Sequence, residues 1–330
     1  MKIAVVGATG LVGREMIKVI EAFDLDVETL YPVASSGSIG KTVFFRNDAL
    51  PVISIDEVIA HKPDIAIFSA GAEVSKKQAP VFAEAGITVI DNSSAWRMDN
   101  DVPLVVPEIN ANILTKNDKI IANPNCSTIQ LVMVLAPLQK KYGIKRVVVS
   151  TYQSVTGSGV KAVEQLLNER AGKSGIKVYP HSIDLNVLPH AGSFDENGYT
   201  TEEVKLVNET QKILNAHIPL TATAARVPVT GGHSEAVNIE LKKKFEINEI
   251  RELLAATKGV VLKDDPENNV YPMPIHSKGK NEVFVGRIRR DYSLENGLNL
   301  WIVADNIRKG AATNAVQIAA WLMQNNLTGK

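Results

Sequence analysis

The chain has 330 residues, 45% of them hydrophobic and 22% charged, with 36 basic side chains balancing 36 acidic ones. Such a composition can bury a sizeable core and lies outside the range of disordered chains, and its length points to two domains. Charge balance excludes the broad positive field that holds nucleic acid or an anionic membrane, so basic clusters should answer to small anions.

One cysteine excludes an intrachain disulfide and a structural zinc site, and no metal is expected. No apolar run approaches the roughly 18 residues needed to span a bilayer. The start, MKIAVVGATG, lacks the regions of a signal peptide, so a cytoplasmic location is expected.

In chain order, Lys2 to Val6 reads as a buried strand, GATGLVG as a turn, and Arg14 to Ile20 as a helix packed on a sheet. Thr29 to Ala34 and Asp64 to Ala70 read as further strands, Val74 to Ala85 as a helix and Ile87 to Ile90 as a strand. This alternation predicts a doubly wound parallel sheet of Rossmann type. After Cys126 a helix through Leu135 is predicted, and then the texture changes. Strands over Lys145 to Gln153, Ala222 to Val229, Ala236 to Leu241, Glu282 to Arg289 and Leu298 to Val303 predict an α+β second half. The alanine-rich segment Gly310 to Met323 predicts a helix returning to the first domain. The expected domains are 1–126 with 307–330, and 127–306. Lys263 to Asn269 reads as a surface loop.

Gly7, Gly10 and Gly13 stand between a predicted strand and helix, where absent side chains permit a tight turn and close approach to a diphosphate. NAD binders usually place a carboxylate about 20 residues beyond such glycines. Here that region reads Ala34-Ser35-Ser36-Gly37-Ser38, whose hydroxyls and amides would accept a 2′-phosphate; NADP is favoured over NAD.

The only cysteine lies in Asn123-Pro124-Asn125-Cys126-Ser127-Thr128. Pro124 stops a preceding element and Asn125 is a good cap, so Cys126 should occupy the first turn of a helix, which favours a thiolate. On this ground alone nucleophile and small apolar filler remain equal alternatives. Of six histidines, His233 is singled out by Arg226-Val-Pro-Val-Thr-Gly-Gly-His233, which puts a cation and an imidazole near one strand end. A second glycine loop, Gln153 to Gly159, would bind part of a cofactor or a reacting carbonyl. Glu202 and Lys205, taken alone, read as a solvated helical ion pair.

GATGLVG, NSSAWRM at 92–98, NPNCST, TYQSVTGSG, TEEVK at 201–205, RVPVTGGHS and DNIRKGAA at 305–312 follow one another in this order. Together they resemble the aspartate-semialdehyde dehydrogenase family nearly end to end. The resemblance implies NADPH-dependent, reversible reduction of L-aspartyl 4-phosphate to L-aspartate 4-semialdehyde with release of phosphate, on the way to lysine, threonine and methionine. It implies Cys126 as the nucleophile forming an acyl thioester, His233 as acid/base and Gln153 as the residue orienting the acyl group. Arg226 would hold the substrate carboxylate, Glu202 its amine, and Lys205, Arg97 and Asn125 the phosphate. Thr9 to Val12, including Gly10 and Leu11, with Gly7 and Gly13, would take the diphosphate. Ser35, Ser36 and Ser38 would take the adenosine phosphate; Ser69 and Gly71 also belong to the cofactor set, with Thr156, Gly157 and Asn306 on the nicotinamide side. Many such relatives carry arginine in the serine loop, where this chain has Gly37. The resemblance also implies a catalytic second domain that forms a homodimer. The rival readings are an acetylglutamyl-phosphate reductase type and an inactive NADP-binding partner.

Overall fold

The computed structural model describes residues 1–328. The chain divides into two units: Met1–Asn125 together with the C-terminal segment from Ala311, and Cys126–Gly310.

The first unit runs β1 (Lys2–Val6), α1 (Leu11–Ala22), β2 (Thr29–Val33), β3 (Thr42–Phe45), β4 (Asp48–Pro51), α2 (Ile55–His61), β5 (Ile65–Phe68), α3 (Ala72–Glu84), β6 (Thr88–Asp91), α4 (Pro107–Asn110) and β7 (Ile120–Ala122). Five strands form a parallel sheet in the order β2-β1-β5-β6-β7. The apolar run Ile65–Phe68 is buried throughout, as expected for a strand covered on both faces. The winding reverses between β1 and β5, the place where doubly wound sheets open a crevice for ligands.

The hairpin of β3 and β4 was not legible in the sequence. Its two turn residues, Arg46 and Asn47, have φ of 48° and 70°, the left-handed pair of a tight hairpin. Arginine seldom adopts that region. Here its guanidinium donates to the carbonyls of Leu25 and Val27, at 2.6 and 3.2 Å, and those contacts hold it.

The second unit contains α5 (Cys126–Tyr142), β8 (Ile144–Ser154), α6 (Val160–Arg170), α7 (Thr201–Leu214), β9 (Leu220–Val227), β10 (His233–Leu241), α8 (Ile247–Ala255), β11 (Val260–Leu262), α9 (Pro274–Ser277), β12 (Val283–Asp291) and β13 (Gly297–Ala304). Its mixed sheet has the order β11-β12-β13-β10-β8-β9. The architecture is therefore a Rossmann-type α/β unit plus an α+β unit. Helix α5 is buried along nearly its whole length. The opposite faces of β8, β10 and β13 hold half-exposed Val148, Ser150, Ala236, Asn238 and Asn299, and Tyr152 packs on Trp301 with ring centroids 5.5 Å apart.

The chain then completes the first unit with α10 (Thr313–Gln324). This helix starts three residues later than the sequence predicts, because Arg308–Ala312 forms a π-helical turn. Ala315, Val316, Ile318, Ala319 and Leu322 pack with Ile3, Val5, Met16 and Ile20 in one core.

Strand β10 also carries Glu235, fully buried, with no well-formed hydrogen bond to either carboxylate oxygen among the described residues. Burial raises its pKa well above 4.5, weakly opposed by Gln130 of α5. The folded state thus holds this proton more tightly than the unfolded chain. Its contribution to stability is complete below pH 4.5 and declines as the pH rises through the folded-state pKa. Glu235→Gln, which needs no proton, should gain stability relative to the parent as the pH rises from 4.5, read as urea midpoints. A midpoint difference independent of pH would refute the linkage.

Candidate active site

In the first unit the glycine turn sits at the C-terminal end of β1. Gly7 has φ of +88°, and a Cβ there would lie 2.5 Å from the Ser69 carbonyl oxygen beyond β5. A Cβ on Gly13 would lie 2.1 Å from the Gly7 oxygen. The amides of Gly7 and Ala8 both donate to the Val33 carbonyl at the end of β2, at 2.8 and 3.1 Å. The backbone is thereby drawn into a tight cradle below α1, whose N-cap, Gly10, supplies no side-chain acceptor to the amides of Leu11, Val12 and Gly13. Such a helix start fits a diphosphate.

Thr9 is half-buried beside this turn, and in the turn after β2 Ser35 and Ser36 are exposed and Ser38 is half-buried. Gly71, with φ of +86°, caps α3. The Gly13→Ala variant should lose roughly 100-fold or more in affinity for reduced dinucleotide, because neither clashing group is a side chain that can swing away. Fluorescence titration checks this, and unchanged binding would move the cofactor elsewhere.

In the second unit, Cys126 is the first residue of a 17-residue helix and is partly exposed. Gly310 packs against it so closely that a Cβ would stand 2.8 Å from the Cys126 Cβ. The next residue, Ser127, accepts a hydrogen bond from Gln153 Nε2 at 3.0 Å. Gln153, buried near the end of β8, also donates to Thr151 Oγ1 at 3.2 Å and to Glu202 Oε1 at 3.4 Å, while its own Oε1 has no partner.

Glu202 and Lys205 pair at 3.2 Å on α7. The pair is not the solvated one that spacing alone suggested: Glu202 is 7% exposed. Its neighbour Glu203 has a different task. The Glu203 and Thr200 side chains each accept the other's backbone amide in a capping box, and Glu203 Oε1 accepts from the Ala224 amide at 2.8 Å. The helix is thereby tied to β9, with Glu202 held against Gln153.

Arg226 ends β9 and His233 begins β10. The Ser154 amide donates to His233 Nδ1 at 3.0 Å, which puts the proton of the neutral ring on Nε2, an atom that has no protein partner. Arg226 Nη1 donates to the Ser154 carbonyl at 3.2 Å, and its Nε is likewise unpartnered. A Cβ on Gly157 would meet Arg226 Nη1 at 2.8 Å and His233 Nε2 at 3.3 Å, so Gly157 leaves these groups uncovered. Complete burial, then the charge of Arg226, lower the His233 pKa to about 3, partly offset by Glu202. The ring is neutral at physiological pH, and the resting site holds no imidazolium.

Thr156 Oγ1 donates to Asn306 Oδ1 at 3.0 Å, and the Gly232 amide donates to the same oxygen at 3.2 Å. These groups and Gly157 belong to the second unit. Arg97 and Asn125 belong to the first and are buried there; Arg97 donates to the carbonyls of Asn123 and Asn92, at 2.9 and 3.0 Å. Sequence reasoning missed Ser127 and Ser154, which hold Gln153 and His233. Their adjacency to singled-out residues was the only signal. Among the described residues no cluster of metal ligands occurs and no helix is long and apolar enough to cross a membrane.

Residues 2–117 match the family described as the NAD binding domain of semialdehyde dehydrogenase, and 135–309 its dimerisation domain. Aspartate-semialdehyde dehydrogenase of Aquifex aeolicus is 52% identical, over 99% of either chain. The chain belongs to the aspartate-semialdehyde dehydrogenase family. The Legionella pneumophila member is 49% identical over 99% of this chain and 97% of its own. The structure of aspartate semialdehyde dehydrogenase II from Vibrio cholerae, complexed with ASA, superposes with a TM-score of 0.94 at 42% identity, covering 98% of each chain. The Candida albicans aspartate semialdehyde dehydrogenase with NADP gives 0.79 at 25% identity over 99% of each chain. This protein is thus an oxidoreductase of the aspartate-semialdehyde dehydrogenase type with a nicotinamide-cofactor-binding domain.

Proposed function

We propose that the protein reduces L-aspartyl 4-phosphate to L-aspartate 4-semialdehyde with NADPH, reversibly, through a thioester on Cys126. In the cell this would serve lysine, threonine and methionine synthesis in the cytoplasm. The observation that carries this reading is the chain of contacts around Gln153 and Ser154, which links the residue beside Cys126 to Glu202, Arg226 and His233.

In this mechanism Arg226 grips the substrate α-carboxylate with its planar fork and Glu202 takes the ammonium group. Lys205, with Arg97 and Asn125, takes the phosphate. The Cys126 sulfur attacks the acyl carbon as a thiolate, which its place at a helix start favours. The carbon–oxygen bond to phosphate breaks, phosphate leaves, and an acyl thioester remains. Gln153 orients that acyl group. NADPH held at the glycine turn of Gly7, Gly10 and Gly13 would supply the hydride that reduces the thioester. His233, with its proton on Nε2, donates a hydrogen bond to the developing oxyanion. Collapse of that oxyanion re-forms the carbon–oxygen double bond, breaks the carbon–sulfur bond, expels the Cys126 thiolate and frees the aldehyde. Carboxylate binding at Arg226 offsets part of the positive charge that, after burial, depresses the His233 pKa.

The NADP choice rests on the serine turn without a carboxylate and accords with the NADP carried by the Candida albicans relative. The expected assembly is a homodimer through the half-exposed sheet face around Tyr152 and Trp301, in a region that matches a dimerisation family. Incubating the enzyme with semialdehyde and NADP without phosphate, then taking its mass, should show an aspartyl adduct on Cys126; phosphate should discharge it. Turnover without any adduct would sink the covalent route.

A further inference from the structure

A cavity of about 360 Å³ adjoins the glycine turn, lined by Thr9, Arg14, Lys18, Lys41, Val43 and Phe44 among others. No carboxylate lines it. Of its three cations, Lys18 is already paired with Glu15 at 3.4 Å, whereas the Arg14 guanidinium and the Lys41 ammonium have no ion pair or hydrogen bond among the described residues.

Both belong to elements that the dinucleotide reading engages, the first turn of α1 and the end of the serine turn. Arg14 follows Gly13 in the first turn of α1. Lys41 closes the serine turn: its amide donates to the Ser38 carbonyl at 3.2 Å, and its own carbonyl accepts from the Val52 amide at 2.9 Å. The glycine turn is tied to the same strand end through the Val33 carbonyl. The serine turn itself, Ser35 to Gly40, has no charged side chain. Its hydroxyls can donate hydrogen bonds to a phosphate monoester but cannot balance a charge near −2.

We propose that Arg14 and Lys41 supply the charge that recognises the ribose 2′-phosphate, and so set the preference for NADP over NAD. The inference rests on the NADPH reading above and names the residues that would enforce it. Arginine presents two parallel donors to a phosphate and lysine a point charge from the other side. Neither gains anything from a ribose that ends in a hydroxyl.

The test is fluorescence titration of NADPH and NADH against the full-length parent and the Arg14→Gln, Lys41→Gln and double variants, with Lys18→Gln as a control in the same cavity. Thermal unfolding checks that each surface variant is folded. The Kd for NADPH should rise about tenfold in each single variant and further in the double, while that for NADH moves by less than about twofold. Lys18→Gln should match the parent. Equal weakening of both cofactors would overturn the inference, since the residues would then serve the shared diphosphate. Unchanged NADPH affinity in the double variant would also overturn it, leaving NADP preference intact and due to other groups. A parent that binds NADPH and NADH equally would instead remove the NADP reading itself.

Discussion

Cys126→Ser should abolish phosphate-dependent oxidation of the semialdehyde, lowering kcat by roughly 10³-fold or more while NADPH binding stays as in the parent. The hydroxyl occupies the same helix start but does not ionise there, and nothing at rest removes its proton. His233 is the acid/base that the family resemblance implies, yet burial and Arg226 hold its pKa near 3. A serine therefore lacks the activation that a thiol obtains from its own acidity. Steady-state rates and cofactor titration on one preparation check both halves, and near-normal turnover would remove Cys126 from the chemistry.

Arg226→Lys should raise KM for the semialdehyde by roughly 100-fold with a smaller fall in kcat, since a point charge replaces a planar fork. A second consequence separates this role from a structural one. The shorter reach of the ammonium breaks the 3.2 Å contact to the Ser154 carbonyl, on the residue whose amide fixes the His233 tautomer. The pH profile of kcat should therefore shift along with KM. Unchanged KM would place the carboxylate site elsewhere.

Much of the fold was legible because buried parallel strands announce themselves as apolar runs, and turns as glycines. Ile65–Phe68 and the Gly7 turn are both of this kind. The β3–β4 hairpin was not, because its left-handed turn is held by Arg46 contacts distant in sequence. The site divides the same way. Motif order brought out Cys126, Gln153, Arg226 and His233, but the Thr200-x-x-Glu203 capping spacing went unread, and with it the difference between Glu203, which caps α7, and Glu202, which meets Gln153. That distinction is made by the Ala224 amide, 21 residues away, which takes up Glu203. Nor does any spacing reveal that Glu235 is an acid buried with no well-formed hydrogen bond among the described residues.

The C-terminal helix α10 has a consequence for the order in which the molecule is made. Asn314 donates to the Val105 carbonyl and to Asn123 Oδ1, at 2.9 and 2.7 Å, and the apolar residues that follow share a core with Ile3 and Val5. Residues 126–310 form a contiguous unit that can fold as it leaves the ribosome. The nucleotide-binding unit has all five strands of its parallel sheet by Ala122, but the helix that shares their core follows only after some 185 intervening residues have been translated.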